Sequence, residues 1–179
     1  MRAFQAALFS ALAGLTLATN TTIRYFSTKE GCVDNYFQCS NIAIGHCCQI
    51  STPWCTYVDC PDCIANGVTA YSLPTHANND CSGDPIEPVC ASTSNNNICC
   101  SINHVEAPTV CSTKVSTNVG KKREEGEDCL GMVEPDTLVY TDAGGVKHEA
   151  HLPNGTFEQA AEFANIGDWN GLTEFLEKL

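Results

Sequence analysis

CVDNYFQCSNIAIGHCCQISTPWC, residues 32–55, carries five cysteines in the order single, single, doublet, single. The same order returns in CSGDPIEPVCASTSNNNICCSINHVEAPTVC, residues 81–111, about 50 residues further on. Written as spacings, Cys32-x6-Cys39-x7-Cys47-Cys48-x6-Cys55 is echoed by Cys81-x8-Cys90-x8-Cys99-Cys100-x10-Cys111. The flanks agree too. Thr22-Ile23-Arg24-Tyr25 precedes the first unit and Val68-Thr69-Ala70-Tyr71 the second, and each doublet runs into a polar residue and then isoleucine (Gln49-Ile50, Ser101-Ile102). The pattern reads as a duplicated cystine module.

Adjacent Cα atoms lie about 3.8 Å apart, less than a disulfide normally spans, so Cys47 should not pair with Cys48, nor Cys99 with Cys100. In an extended chain the two side chains of a doublet point to opposite faces, and one strand can then be stapled in two directions. The β-prone runs Thr21–Ser27, Cys55–Val58 and Gly67–Leu73 lie among Gly, Asn, Ser and Pro turns. Residues 19–113 are therefore expected to form a small, mainly β, disulfide-rich domain.

Twelve of the thirteen cysteines fall between residues 32 and 111: Cys32, Cys39, Cys47, Cys48, Cys55, Cys60, Cys63, Cys81, Cys90, Cys99, Cys100 and Cys111. That density marks an oxidising compartment. The start of the chain agrees. Met1-Arg2, an apolar stretch from Ala3 to Leu17 and the small residues of Thr16-Leu17-Ala18 read as a signal peptide, residues 1–18, cut after Ala18, with Ala11-Leu12-Ala13 as the alternative. A membrane span needs about 20 apolar residues, so the mature protein is expected to be secreted and extracellular, free of the membrane.

From Ser112 to Asp128 the chain is rich in Ser, Thr, Lys and Glu, and residues 114–128 are expected to be a linker. Lys122-Arg123 within it is a dibasic processing candidate. Residues 129–179 follow as an acidic segment. Residues 124–179 hold thirteen Asp and Glu against Lys147 and Lys178. With this charge balance no nucleic-acid or anionic-membrane partner is expected. Thr137–Thr141 and Val146–His151 around Asp142-Ala143-Gly144-Gly145 read as a hairpin. Thr156-x-x-Gln159 reads as a capping box opening a helix with Phe157, Ala160, Ala161 and Ala164 on one face. Gly167 ends that helix, Asp168 caps the next, and Trp169, Leu172, Leu176 and Leu179 form its stripe. Cys129 is the odd cysteine: free, tethered to the domain, or intermolecular.

Cys60-Pro61-Asp62-Cys63 has redox spacing, but Ile64-Ala65-Asn66-Gly67 offers at most one helical turn after it, so a structural role is expected. His148-Glu149-Ala150-His151 is one residue short of a zinc-protease motif and is expected to be a strand with its two histidines on opposite faces. His46, His76 and His104 are expected at the surface. No catalytic residue, cofactor or metal is expected, and the chain is read as a non-enzyme. Asn20-Thr21-Thr22 and Asn154-Gly155-Thr156 are glycosylation sequons, with Asn154 favoured because it falls in a turn.

Cys39, Cys47-Cys48, Cys81, Cys90, Cys99-Cys100 and Cys111 resemble the eight-cysteine order of hydrophobins, which implies a small β-barrel, four bridges and amphipathic films. Tyr25-x5-Gly31 with the duplication is similar to βγ-crystallin-like domains and implies paired Greek keys. More broadly, the leader, the two cystine modules and the dibasic linker resemble fungal small secreted cysteine-rich proteins. That resemblance implies an effector-type binding protein whose partner is an extracellular host protein or a wall polymer.

Overall fold

A computed structural model describes residues 20–27, 31–51, 54, 56–63, 65–66, 68–75, 98–101, 110–116, 129–142 and 144–179. The signal-peptide reading, Cys55, Cys81, Cys90, His76, His104 and the Lys122-Arg123 pair lie outside these residues. Among the described residues the chain is mainly β, with two helices.

Among the described residues ten strands make two sheets. Strands β1 (Asn20–Phe26), β2 (Tyr36–Ala43), β4 (Tyr57–Cys60), β6 (Ile98–Ser101), β9 (Thr137–Thr141) and β10 (Lys147–His151) form one, in the order β10-β9-β2-β1-β4-β6. Strands β3 (His46–Ser51), β5 (Thr69–Thr75), β7 (Val110–Ser116) and β8 (Gly131–Val133) form the other, in the order β5-β7-β3-β8. Every pair is antiparallel except β3 with β8.

The chain changes sheet between β2 and β3, and local chemistry makes the corner. The β1–β2 register slips between Thr21 and Ile23, and Asn41 there takes φ 56°. A bulge with a left-handed residue bends its strand, and asparagine tolerates that conformation. Gly45 follows at φ 83°; a Cβ on it would stand 2.7 Å from Leu130 Cδ1, so glycine serves both the turn and the close approach. The Cys39–Cys48 disulfide closes this corner from sheet to sheet. Tyr25 crosses between the sheets as well, its hydroxyl 2.8 Å from the Cys48 carbonyl oxygen and 2.7 Å from Thr113 Oγ1.

One apolar core joins all of this. Ile23, Tyr25, Phe37 and Ile42 of the first sheet meet Cys48, Ile50 and Val115 of the second, and Leu138, Tyr140, Phe157, Ala160 and Leu172 belong to the same cluster. The expected division into a cystine domain and a separate segment 129–179 is therefore not a division between cores. Strand β9 pairs with β2, Tyr36 opposite Val139, and Phe37 meets Phe157 edge to face at 5.0 Å. The expected linker is also corrected at its start. Strand β7 runs to Ser116, and Ser112, Thr113, Lys114 and Val115 are all buried, because β7 is flanked by β5 and β3 on its two sides.

The helices α1 (Phe157–Ile166) and α2 (Trp169–Leu176) bury the expected residues Phe157, Ala160, Ala161, Ala164 and Leu172. Gly167 ends α1 at φ 70°, and the Asp168 carboxylate accepts from the Gly171 N–H at 2.9 Å. Two details differ. Thr156 makes no side-chain cap; its hydroxyl donates to the Pro153 carbonyl, which takes it out of reach of the helix N–H groups. Leu179 is exposed, since α2 stops at Leu176 and the stripe stops with it.

Candidate functional site

The strand period of two assigns side chains of the six-stranded sheet to opposite faces. Ile23, Tyr25, Phe37 and Val58 point into the core. Their neighbours Arg24, Phe26, Tyr36, Gln38, Tyr57 and Asp59 then share the other face, where Phe26 and Asp59 are buried and Arg24, Tyr36, Gln38 and Tyr57 are half-buried. Pairing aligns these in two rows. Gln38, Arg24, Asp59 and Cys99 stand opposite one another across β2, β1, β4 and β6, and Val139, Tyr36, Phe26 and Tyr57 do so one step along.

The polar row is linked by hydrogen bonds and charge. Arg24 Nε donates to Gln38 Oε1 at 2.9 Å, and Gln38 Nε2 donates to Ser40 Oγ at 2.9 Å. Asp136 holds Ser40 in turn, accepting from its N–H and its hydroxyl. On the other side Arg24 lies 3.8 Å from Asp59 Oδ2. Its guanidinium carbon is 4.9 Å from the Tyr36 ring centre, and Lys147 Nζ approaches the same ring at 5.8 Å. The half-buried Tyr36 ring is thus within cation–π reach of both Arg24 and Lys147.

Asp59 is the electrostatic centre of the row. Burial pushes its carboxyl above the usual range; Arg24 opposes that shift, Asp62 reinforces it, and a hydrogen bond from the Cys60 backbone opposes it. Its Oδ1 is buried with no hydrogen-bond partner among the described residues. Asp62 is held by the Thr21 hydroxyl and by the Thr22 N–H at 2.9 Å.

Disulfides brace this face. Cys32–Cys99 ties the segment after β1 to β6, and Cys60–Cys63 closes the turn after β4. The C-x-x-C cysteines are thus bonded to each other, and both are buried. The first doublet is not a vicinal bridge. Cys48 bonds to Cys39 in the main core, while Cys47 is disulfide-bonded separately and packs with Cys129. Cys100 and Cys111 lie on β6 and β7, with their side chains outside the described set. Cys129 is a free, half-buried thiol that donates to the Gly131 carbonyl.

The histidine motif joins a second cluster at the hairpin. Trp169, Tyr140 and His148 stack with ring centres 5.1 and 5.0 Å apart, and His148 Nε2 lies 2.8 Å from Asp142 Oδ2. His151 is exposed on the opposite face of β10. His46, expected at the surface, is half-buried against Gly131, where a Cβ would meet its ring at 2.8 Å. Asn154 is exposed in the turn before α1, and Asn20 is exposed at the start of β1, its carbonyl accepting from Asn66.

Arg24, Tyr36, Gln38 and Asp59 were not singled out by sequence reasoning. The alternation of Thr22-Ile23-Arg24-Tyr25-Phe26 signals which of them leave the core, but nothing local signals that they meet. Comparison with family models, curated proteins and solved structures finds no match to this chain.

Proposed function

We propose that this protein is exported and acts as a disulfide-stapled binding protein of the effector-like kind found among fungal small secreted cysteine-rich proteins. The observation that carries the reading is the row Gln38–Arg24–Asp59 beside Tyr36, on one face of a sheet that disulfides hold at two places. Aromatic and arginine side chains on a rigid support are the usual anchors of recognition, because little conformational freedom is lost when they engage. An extracellular protein or a polar wall polymer is the class of partner such a face suits.

The finer readings fit this proposal. Three strands of each sheet follow one plan that supports a duplicated module: an N-terminal strand (β1; β5) pairs with a following strand (β4; β7), which pairs with the doublet strand of the other repeat (β6; β3). Asn154 is open to glycosylation. Cleavage after Lys122-Arg123 would leave the pieces joined through the β2–β9 and β3–β8 ladders.

The test is binding of the oxidised full-length protein to a panel of insoluble wall polymers and extracellular-fluid proteins. Tyr36→Ala and Arg24→Ala are each expected to weaken capture about tenfold while circular dichroism stays unchanged. Full reduction is expected to abolish it. Undiminished binding by both folded variants would overturn this face, and film formation at an air–water interface in place of binding would favour surface coating.

A further inference from the structure

The described disulfides differ in how exposed their cysteines are. Cys39 and Cys48 are 1% and 0% exposed, and Cys60 and Cys63 are 2% and 0%. Cys99 is exposed and Cys32 half-buried. A thiolate must approach the sulfur it attacks, so access selects which bridge exchanges.

Cys99 also has a charged neighbour. Asp59 stands directly opposite it in the β4–β6 register, and cross-strand partners have Cβ atoms roughly 4.5–5.5 Å apart. The groups that face Asp59 are Arg24 from β1 and Asp62 from the turn after β4. Its buried Oδ1 has no hydrogen-bond partner among the described residues, and the carboxylate's charge is met only by Arg24 and the Cys60 backbone N–H within that set.

We infer that Cys32–Cys99 is a thiol-exchange site, open to low-molecular-weight thiols, and that Asp59 governs its rate as a positioning charge. The incoming thiolate attacks Cys99 Sγ, forms a mixed disulfide and expels the Cys32 thiolate, which takes a proton from water. A second thiolate attacks the reagent's own sulfur in the mixed disulfide and releases the Cys99 thiolate, which is protonated likewise. Two small thiols are oxidised to one disulfide, and one protein disulfide is reduced to two thiols. Each step gathers negative charge beside Asp59. An ionised carboxylate opposes that charge and a neutral one does not. Opening the bridge frees residue 32 from β6, the edge strand next to the Arg24–Asp59 row, so its redox state sets how that margin of the face is braced. The inference does not rest on the binding proposal and stands or falls apart from it.

The experiment uses the oxidised full-length protein with its free thiol first blocked by iodoacetamide. Limiting dithiothreitol is added at several pH values, new thiols are trapped with N-ethylmaleimide, and labelled peptides are identified by mass. Cys32 and Cys99 are expected to be labelled before Cys39, Cys48, Cys60 and Cys63, the cysteines of the other described bridges. Asp59→Asn is expected to speed their labelling about threefold or more at pH 8, with the ratio to the parent falling towards one in acid. Should the variant fail to fold, the parent rate divided by the reagent's thiolate fraction reads the same effect and should decline as pH rises through the Asp59 titration. Cys39–Cys48 or Cys60–Cys63 opening first overturns the exchange site, and a ratio or normalised rate flat with pH overturns the role of Asp59.

Discussion

Ionising Asp59 inside β4 sacrifices hydration that Arg24, 3.8 Å away, only partly replaces, and this is why its carboxyl is raised. A group with a folded pKa above its unfolded one binds its proton more tightly in the folded state. Its contribution to stability is fully present below the unfolded value, about 3.9, and is lost as pH rises through the folded value. Asp59→Asn is therefore expected to gain stability relative to the parent as pH moves from acid to neutral. Urea midpoints across that range measure it, and a gain that shrinks with rising pH would refute the account. Asp142 has the opposite sign. Its carboxyl is lowered, chiefly by the hydrogen bond with His148 and then by the Val146 N–H, so it supports the folded state above its unfolded pKa and loses that effect as pH falls.

The two helices start differently, and the difference can be measured. Asp168 accepts from the Gly171 N–H, whereas Thr156 gives its hydroxyl to Pro153. Asp168→Ala is expected to lower stability by about 1 kcal/mol, the usual effect of removing a side-chain cap, and Thr156→Ala by less. Equal losses in chemical denaturation would show that the caps are not the cause. These helices and the Asp142–Gly145 hairpin were legible in the sequence because their signals are local: a 3.6-residue stripe, a glycine stop, a turn. Strand β7 was not. Ser112, Thr113 and Lys114 look like a solvated linker, and only pairing with β5 and β3 on either side buries them. The face around Arg24 was hidden for the same reason, since Gln38, Asp59 and Cys99 join it through three separate strand pairings.

At the scale of the whole molecule, the acidic segment looked separable by charge but shares its sheet and core with the cystine region, so composition misplaced the boundary. The cysteine pattern carries more. Cys32 stands six residues beyond the end of β1 at Phe26, and it bonds to Cys99, the first cysteine of the doublet in β6, which belongs to the sheet of β1. Cys81 stands six residues beyond the end of β5 at Thr75, and the doublet strand in the sheet of β5 is β3, with Cys47 as its first cysteine. Cys47 is buried and disulfide-bonded. A duplicated module in which each repeat lends its doublet strand to the other therefore requires a reciprocal bridge, Cys47–Cys81. By the same correspondence Cys39–Cys48 requires Cys90–Cys100. Each bridge that spans a long loop restricts the unfolded chain by typically ~2–4 kcal/mol, so reciprocal bridges would lock the two repeats into one cooperative body. Digestion of the oxidised protein at acid pH, where exchange is slow, followed by mass mapping of linked peptides reads the pairs directly. Cys47 joined to any cysteine other than Cys81 would break the reciprocity and, with it, the case for a duplication expressed in three dimensions.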